Sequence, residues 1–317
     1  MTSGPVIGVD LGGTGLRAGA VGPGGRVLAS AKRLTPDPST PEAVADAIAE
    51  VVAEVERAAG AGRASGVGVA AAGAIEPTEG LVLAAPNLKW RNVQFAAMLR
   101  ERLGRPVRLE NDVNAAAWAE WKLGAGAGVA DMLGVWVGTG VGGGLILSGQ
   151  LYSGAMRTAG EIGHTVLFPD APPGTNKLEH SASRAVIVQR LLAEARAGAP
   201  TRLREITGDF ARPIDSTMLA TAFREGDELV VGAITRAMQL LGSTIASVVT
   251  LLSLQRIVLG GSLVDALGRD LIDIVQERAR RDVFPPELAS LRIEASRLGD
   301  DAGVIGAALL GSPDAVS

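Results

Sequence analysis

Two segments of this sequence carry the same local pattern: a short β-branched run, a burst of glycine, and a second apolar run that turns back. Pro5–Asp10 (PVIGVD) stops at Gly12-Gly13 and resumes at Leu16–Val21. Met132–Val137 (MLGVWV) runs into Gly138–Gly144 (GTGVGGG) and returns at Leu145–Leu147. Apolar runs of this length bounded by glycine read as strands joined by tight turns. Recurrence of the unit in the second half predicts a duplicated domain with a cleft between the halves. A chain of 317 residues also exceeds what one core usually supports. The expected division is an N-terminal α/β domain over 1–115 and a larger α/β domain over 116–301.

The rest of the chain fits that plan. Val27–Ala31 continues the first set of strands, and Thr40 caps a helix with Pro41 at its first position. Val44, Ile48, Val51 and Val55 repeat at helical spacing until Gly60. A buried strand at Val67–Ala71 leads through Gly73 into a hairpin around Leu81–Leu83. A helix over Val93–Leu103 precedes a strand at Val107–Glu110, and Val113–Leu123 reads as a helix stopped by Gly124. After Ser181 the chain is mostly helical, with a long helix capped near Asp227. Strands follow at Arg256–Leu259 and Leu291–Ala295, and Ala302–Leu310 closes as an alanine-rich helix. Alternating strands and helices point to α/β architecture. In such folds ligands sit beyond the carboxyl ends of strands, so the glycine loops should line one cleft.

Composition narrows the chemistry. The absence of cysteine removes disulfides, thiolate catalysis and sulfur-ligated metal. With a net charge of −4 and no Lys/Arg stripe, a sequence-independent grip on nucleic acid is not expected. Met1–Gly4 has neither a basic patch nor an apolar run, so no leader is read there and the expected location is the cytoplasm. Ala237–Leu254 approaches the length of a membrane span, but Gln239, Ser243, Thr244, Ser247, Thr250 and Ser253 dilute it. It reads as a buried helix packed on a sheet, and no membrane partner is expected.

Asp10-Leu-Gly12-Gly13-Thr14-Gly15 lies between two strands. Small residues there let backbone N–H groups approach phosphate oxygens, Thr14 can donate a hydroxyl, and Asp10 can hold Mg²⁺ through water. A tight hairpin with an Asx-type turn explains the same residues. The Gly138-Thr139-Gly140 loop favours a ligand more strongly, because so many glycines are entropically costly for a mere turn. Gly260-Gly261 after the strand RIVL is equally well a strand-to-helix turn. Asp112, where a strand ends and a helix starts, is a candidate general base whose ionised form the helix terminus favours; a plain helix cap is the competing reading. Glu161, His164 and Glu179 form a short polar stretch able to bind neighbouring hydroxyls, although a lone histidine is usually structural.

Taken together these segments resemble the ROK family (repressors, open reading frames, kinases), above all its bacterial glucokinases. The resemblance runs nearly end to end. It rests on DLGGTGLRAG at Asp10–Gly19, PNL at Pro86–Leu88, ENDVNAAA at Glu110–Ala117, VGTGVGGGLI at Val137–Ile146, GEIGHT at Gly160–Thr165, LE at Leu178–Glu179, VLGGSL at Val258–Leu263 and DDAGVIGAA at Asp300–Ala308. It implies two ribonuclease-H-like domains of the actin-like ATPase architecture, with the C-terminal helix 302–317 returning to the first domain, and ATP- and Mg²⁺-dependent phosphorylation of a hexose. By the same resemblance Gly12, Gly13, Thr14, Gly138, Thr139, Gly140, Gly260 and Gly261 hold the nucleotide, with Asp10 near Mg²⁺. Asp112 is the implied base, and Asn87, Asn111, Asp112, Glu161, His164 and Glu179 the implied sugar ligands. Family habit implies a homodimer or homotetramer.

Two departures stand out. After GEIGH the family usually carries a cysteine loop that binds structural zinc, but here Thr165–Leu178 (TVLFPDAPPGTNKL) has no cysteine and no zinc is expected. Gly15 stands where lysine is frequent. Glucose is the first choice of acceptor, with fructose, mannose or an N-acetylhexosamine as alternatives and polyphosphate as an alternative donor. A sugar-sensing repressor would be expected to carry a DNA-binding domain ahead of Asp10, and a non-catalytic sugar-binding protein sits poorly with an intact Asp112.

Overall fold

β-Branched residues fit a pleated strand buried on one or both faces, and the first run does so: β1 (Val6–Leu11) buries Ile7, Val9 and Leu11 completely. The computed structural model describes residues 4–60 and 62–313. β1 is antiparallel to β2 (Gly15–Val21), which is antiparallel to β3 (Val27–Leu34). Next comes α1 (Pro41–Ala59), with Thr40 at its N-cap and Gly60 closing it at φ 61°. The stripe Val44, Ile48, Val51 and Val55 is fully buried, as its spacing requires.

β4 (Val67–Ala71) lies parallel to β1. The antiparallel strands β5 (Ala74–Glu76), β6 (Leu81–Ala85) and β7 (Trp90–Val93) form a separate small sheet. The expected helix from Val93 therefore starts later: α2 is Phe95–Leu103, because the preceding residues pair as β7. β8 (Val107–Asn111) and α3 (Asp112–Leu123) follow.

The repeat predicted from the glycine pattern is a repeat of topology. The first sheet has the order β3-β2-β1-β4-β8. The second is built from β9 (Met132–Val137), β10 (Val141–Leu147), β11 (Gln150–Tyr152), β12 (Arg256–Gly260) and β13 (Arg292–Ala295), in the order β11-β10-β9-β12-β13. In each, a central strand has parallel neighbours on one side and a returning antiparallel hairpin on the other. Strand β10 begins at Val141 rather than at Leu145. Gly142–Gly144 thus belong to a strand, and Gly144 is small because a Cβ there would sit 2.8 Å from the Ala117 methyl.

Helices fill the later chain: α4 (Glu179–Ala182), α5 (Arg184–Arg196), α6 (Leu203–Thr207), α7 (Ser216–Arg224), α8 (Glu228–Leu252), α9 (Ser262–Leu267), α10 (Arg269–Asp282) and α11 (Ala302–Gly311). Asp227 caps α8 by accepting from Val230 N–H at 3.0 Å. Among the described residues α8 alone is long and apolar enough to cross a membrane by length and composition. It packs against α10 and against α4, α5 and α7. The expected run of the last helix to 317 lies partly outside the described residues, and α11 itself ends at Gly311.

The chain separates into two compact units. Unit 1 comprises the described residues of Met1–Gly128, Gly144–Gly160 and Asp300–Ser317, and unit 2 comprises Val129–Gly143 and Glu161–Gly299. Unit 1 closes on α11, which lies in backbone contact with three elements. A Cβ on Gly8 of β1 would overlap Val304 O, one on Gly68 of β4 would overlap Ala307 O, and one on Gly306 would overlap Ala115 O of α3. No side chain can be inserted without moving main chain. Gly68→Ala is therefore expected to destabilise the protein by about 1–3 kcal/mol or more. Gly232→Ala, exposed in α8 with open space at its Cβ position, should instead stabilise by up to about 1 kcal/mol. Urea unfolding midpoints of the two variants test the contrast.

Candidate active site

In unit 1 the first glycine loop is tied down by its neighbour strand. Gly12 N–H donates to Gly15 O (2.9 Å), Thr35 Oγ1 donates to Gly12 O (2.7 Å) and Thr35 N–H donates to Thr14 O (3.1 Å). Thr14 stays exposed at the tip. A Cβ on Gly13 would stand 3.0 Å from Asn87 O, so the structure brings exposed Asn87, on the turn Pro86–Leu88, against this loop.

Asp10 lies at the carboxyl end of β1, in a cross-strand row with Arg17 and Lys32. Arg17 pairs with Asp301 and donates to Asp300 O at 3.0 Å. A cavity of about 310 Å³ is lined by Asp10, Gly12, Gly15, Arg17, Lys32 and Asp300. Burial and, after it, the Asp112 charge push the Asp10 carboxyl up to about 6, against the pull of Arg17 and Lys32. A carboxylate raised by burial and by another acid is one that a divalent cation would relieve. Among the described residues no group of three or more His, Cys, Asp or Glu could hold a metal. A cation at Asp10 would therefore take its remaining ligands from water or a bound phosphate.

The plain-cap reading of Asp112 does not hold, because Asn111 is the N-cap of α3. Its Oδ1 accepts from Asn114 N–H (2.9 Å) and its Nδ2 donates to Gly73 O and to Asp112 Oδ1 (3.0 Å each). Asp112 occupies the first helical position, with Oδ1 also accepting from Val113 N–H at 2.9 Å. Those donors favour the ionised form, yet burial outweighs them and the Asp112 carboxyl lies above the ordinary carboxylate range. The helix terminus alone does not set its charge. Behind it, buried Glu110 accepts from Asn111 N–H (3.0 Å) and Asn114 Nδ2 (3.1 Å), which fixes the strand-to-helix corner.

In unit 2, Gly138 N–H donates to Gly140 O (2.9 Å), and Gly138 O accepts from Arg184 N–H (2.9 Å). Exposed Thr139 stands at the tip of this second loop. Glu179, the first residue of α4, accepts from Val141 N–H through Oε2 at 2.9 Å. Glu161 precedes and His164 ends a 3-10 turn, Ile162–His164, with His164 Nε2 3.9 Å from Glu161 Oε2. The cysteine-free segment is closed by main chain: Val166 and Lys177 form a bridge, Leu178 N–H donates to Thr165 O (2.9 Å), and Asn176 O accepts from Leu167 and Phe168 N–H. Lys177 also places its Nζ 2.8 Å from His164 Nδ1, and its N–H donates to His180 Nδ1 at 3.3 Å. Gly260 and Gly261 are accounted for by packing on β9. A Cβ on Gly260 would lie 2.6 Å from Trp136 Nε1, and Gly261, at φ 92°, abuts Val137 O.

Glu110, Asn114 and Lys177 were not singled out from sequence as site residues. Glu110 and Asn114 lie inside the END–N segment, and their burial was the missing signal. Lys177 has no pattern of its own; only the folded loop brings it to His164.

A family model described as "ROK family" matches residues 6–313. The glucokinase of Streptomyces coelicolor is 33% identical, over 99% of this chain and 99% of that one. The N-acetylmannosamine kinase of Shigella boydii is 31% identical, over 96% of this chain and 97% of that one. A crystal structure of a ROK family glucokinase from Streptomyces griseus in complex with glucose and AMPPNP superposes with a TM-score of 0.86 at 32% identity, covering 97% of this chain and 99% of that one.

The raised Asp10 carboxyl has a consequence for stability. Folded Asp10 holds its proton up to about pH 6, against an ordinary 3.8, so its contribution favours folding at low pH and is lost as pH rises through 6. At neutral pH, ligand-free Asp10→Asn should therefore be more stable than the wild type by about 1–3 kcal/mol. The gain should vanish near pH 4. Melting temperatures of both proteins across that range check the sign.

Proposed function

The chain belongs to the ROK family, and from that premise we propose that it is a hexose kinase using ATP and Mg²⁺, with the 6-hydroxyl of glucose as acceptor. The observation that carries the reading is Asp112. It is a carboxylate whose proton affinity burial has raised, held by Asn111 and the Val113 N–H at the end of β8. A carboxylate with raised proton affinity accepts a hydroxyl proton more readily than an ordinary one. As the sugar oxygen bonds to the γ-phosphorus and the bond to the departing diphosphate breaks, the hydroxyl proton passes to Asp112.

Gly12, Gly13, Thr14, Gly138, Thr139 and Gly140 bind the phosphates in this reading, through loop N–H groups and the two exposed threonines. Gly260 and Gly261 take the adenosine side, although packing alone explains why they are glycine. Asn87, Asn111, Glu161, His164 and Glu179, with Asp112, hold sugar hydroxyls, and Lys177 orients His164 through its Nδ1. Asp10 would hold Mg²⁺, which when bound neutralises charge on the nucleotide phosphates. The 31% identical N-acetylmannosamine kinase favours one specific alternative, an N-acetylhexosamine acceptor. Fructose, mannose and polyphosphate are weaker alternatives. We further propose a cytoplasmic homodimer or homotetramer that binds neither nucleic acid nor membrane.

A hexose panel with ATP and Mg²⁺, followed by coupled detection of ADP, should give its highest kcat/KM with glucose. Preference for an N-acetylhexosamine would shift the assignment to the alternative. Asp112→Asn should retain hexose and nucleotide binding while kcat falls roughly 10²–10⁴-fold; near-normal turnover would reduce Asp112 to a structural corner.

Backbone closure of the cysteine-free segment 165–178 supports the proposal of no structural zinc. Elemental analysis of purified protein should find no stoichiometric zinc, and a strong chelator should leave the melting temperature unchanged.

A further inference from the structure

We infer that Glu179 couples hexose binding to nucleotide binding, because the carboxylate proposed to hold a sugar hydroxyl also clamps the Gly138–Gly140 loop. The inference rests on the proposed kinase function for the identity of the two ligands, but the clamp itself is a feature of unit 2 alone.

The geometry is specific. Glu179 Oε2 accepts the N–H of Val141, the residue directly after the loop, at 2.9 Å. Gly140 makes this possible. A Cβ on Gly140 would overlap that same Oε2. Gly140 has no left-handed φ that would favour glycine; a side chain there would meet the flexible end of the glutamate and displace its carboxylate. Gly138, by contrast, has open space at its Cβ position. At position 140 the missing side chain thus leaves room for a carboxylate of the proposed sugar site.

A second bond secures the other end. Arg184 N–H donates to Gly138 O at 2.9 Å, and Ser183 N–H donates to Glu179 O at 3.2 Å. The segment from Glu179 to Arg184 therefore grips the loop on both sides of Thr139. One backbone donor uses one of about four acceptor positions on a carboxylate, which leaves Glu179 able to accept a sugar hydroxyl while still holding Val141. Fixing the carboxylate with a hexose then fixes the loop amides that face a phosphate. Ordering the loop with nucleotide in turn fixes the carboxylate. Such coupling is reciprocal by linkage. Gly140 and Glu179 are positioning residues for each other's ligand.

Two measurements test this. In ligand-free protein, hydrogen exchange at the Val141 amide should quicken on the order of tenfold in Glu179→Ala, the loss of one hydrogen bond. It should return toward wild type in Glu179→Gln, whose amide oxygen still accepts. Calorimetry should then show that Gly140→Ala, a change in the nucleotide loop, weakens glucose binding on the order of tenfold. In wild type, AMPPNP with Mg²⁺ should tighten glucose binding and glucose should tighten AMPPNP binding by the same factor. In Gly140→Ala and Glu179→Ala that factor should fall toward one. Unchanged Val141 exchange in Glu179→Ala overturns the clamp. So does a Gly140→Ala protein that loses nucleotide affinity while keeping glucose affinity. Equal affinities with and without the second ligand in wild type overturn the coupling even if the clamp stands. A wild type that binds neither ligand refutes the kinase reading and the coupling with it, whereas the exchange result still decides the clamp.

Discussion

Unit 1 depends on main chain lying directly against main chain. Gly8, Gly68 and Gly306 bring α11 so close to β1, β4 and α3 that none of the three could carry a side chain without overlapping a carbonyl oxygen. Close-packed interiors transmit displacement because they have no slack. Here the consequence is chemical as well as structural. α11 begins just after Asp300 and Asp301, which bind Arg17, and a Cβ on Gly303 in its first turn would lie 3.1 Å from Asp10 Oδ2. The last helix of the chain therefore sets the surroundings of a carboxylate in the first strand.

Those surroundings are a balance between desolvation and nearby donors. At Asp10 burial dominates, the Asp112 charge adds to it, and the cations Arg17 and Lys32 recover only part of the loss. At Asp112 the hydrogen bonds of a helix start are all present, yet burial still wins. Glu110 follows the same rule, its carboxyl raised by burial despite bonds from Asn111 and Asn114. Three acids in one unit are thus held above the usual carboxylate range. Such sites suit a proton acceptor and a cation better than a permanent ion pair.

In unit 2 the cysteine-free segment 165–178 is ordered by its own main chain. The bridge between Val166 and Lys177 and the bonds to Asn176 O close the segment with backbone alone. This leaves the Lys177 ammonium to meet His164, and Glu179 to start α4 with its carboxylate on the Val141 amide. Prolines at 169, 172 and 173 reduce the entropy of the unfolded segment, which makes such a closure easier to sustain.

The sequence by itself determined the elements and their repeat. Strand periodicity, the Thr40-Pro41 start, the Gly60 stop and the two strand–glycine–strand units follow from local conformational preference, and they reappear as two sheets of matching order. The motifs also marked most of the candidate site residues, because glycine loops and a strand-ending acid have recognisable spacing. Local pattern offered a helix cap as the alternative role for Asp112, but the bond from Asn114 N–H makes Asn111 the cap and puts Asp112 inside α3. Local pattern could not say why each glycine is glycine. Gly13 answers to Asn87 and Gly260 to Trp136, both partners distant in sequence. The raised proton affinity of Asp112 likewise waited on burial, and the orientation of His164 on Lys177. Helix and strand are decided within a few residues, whereas proton affinity and steric exclusion are decided by whatever the fold packs alongside, which only the tertiary structure supplies.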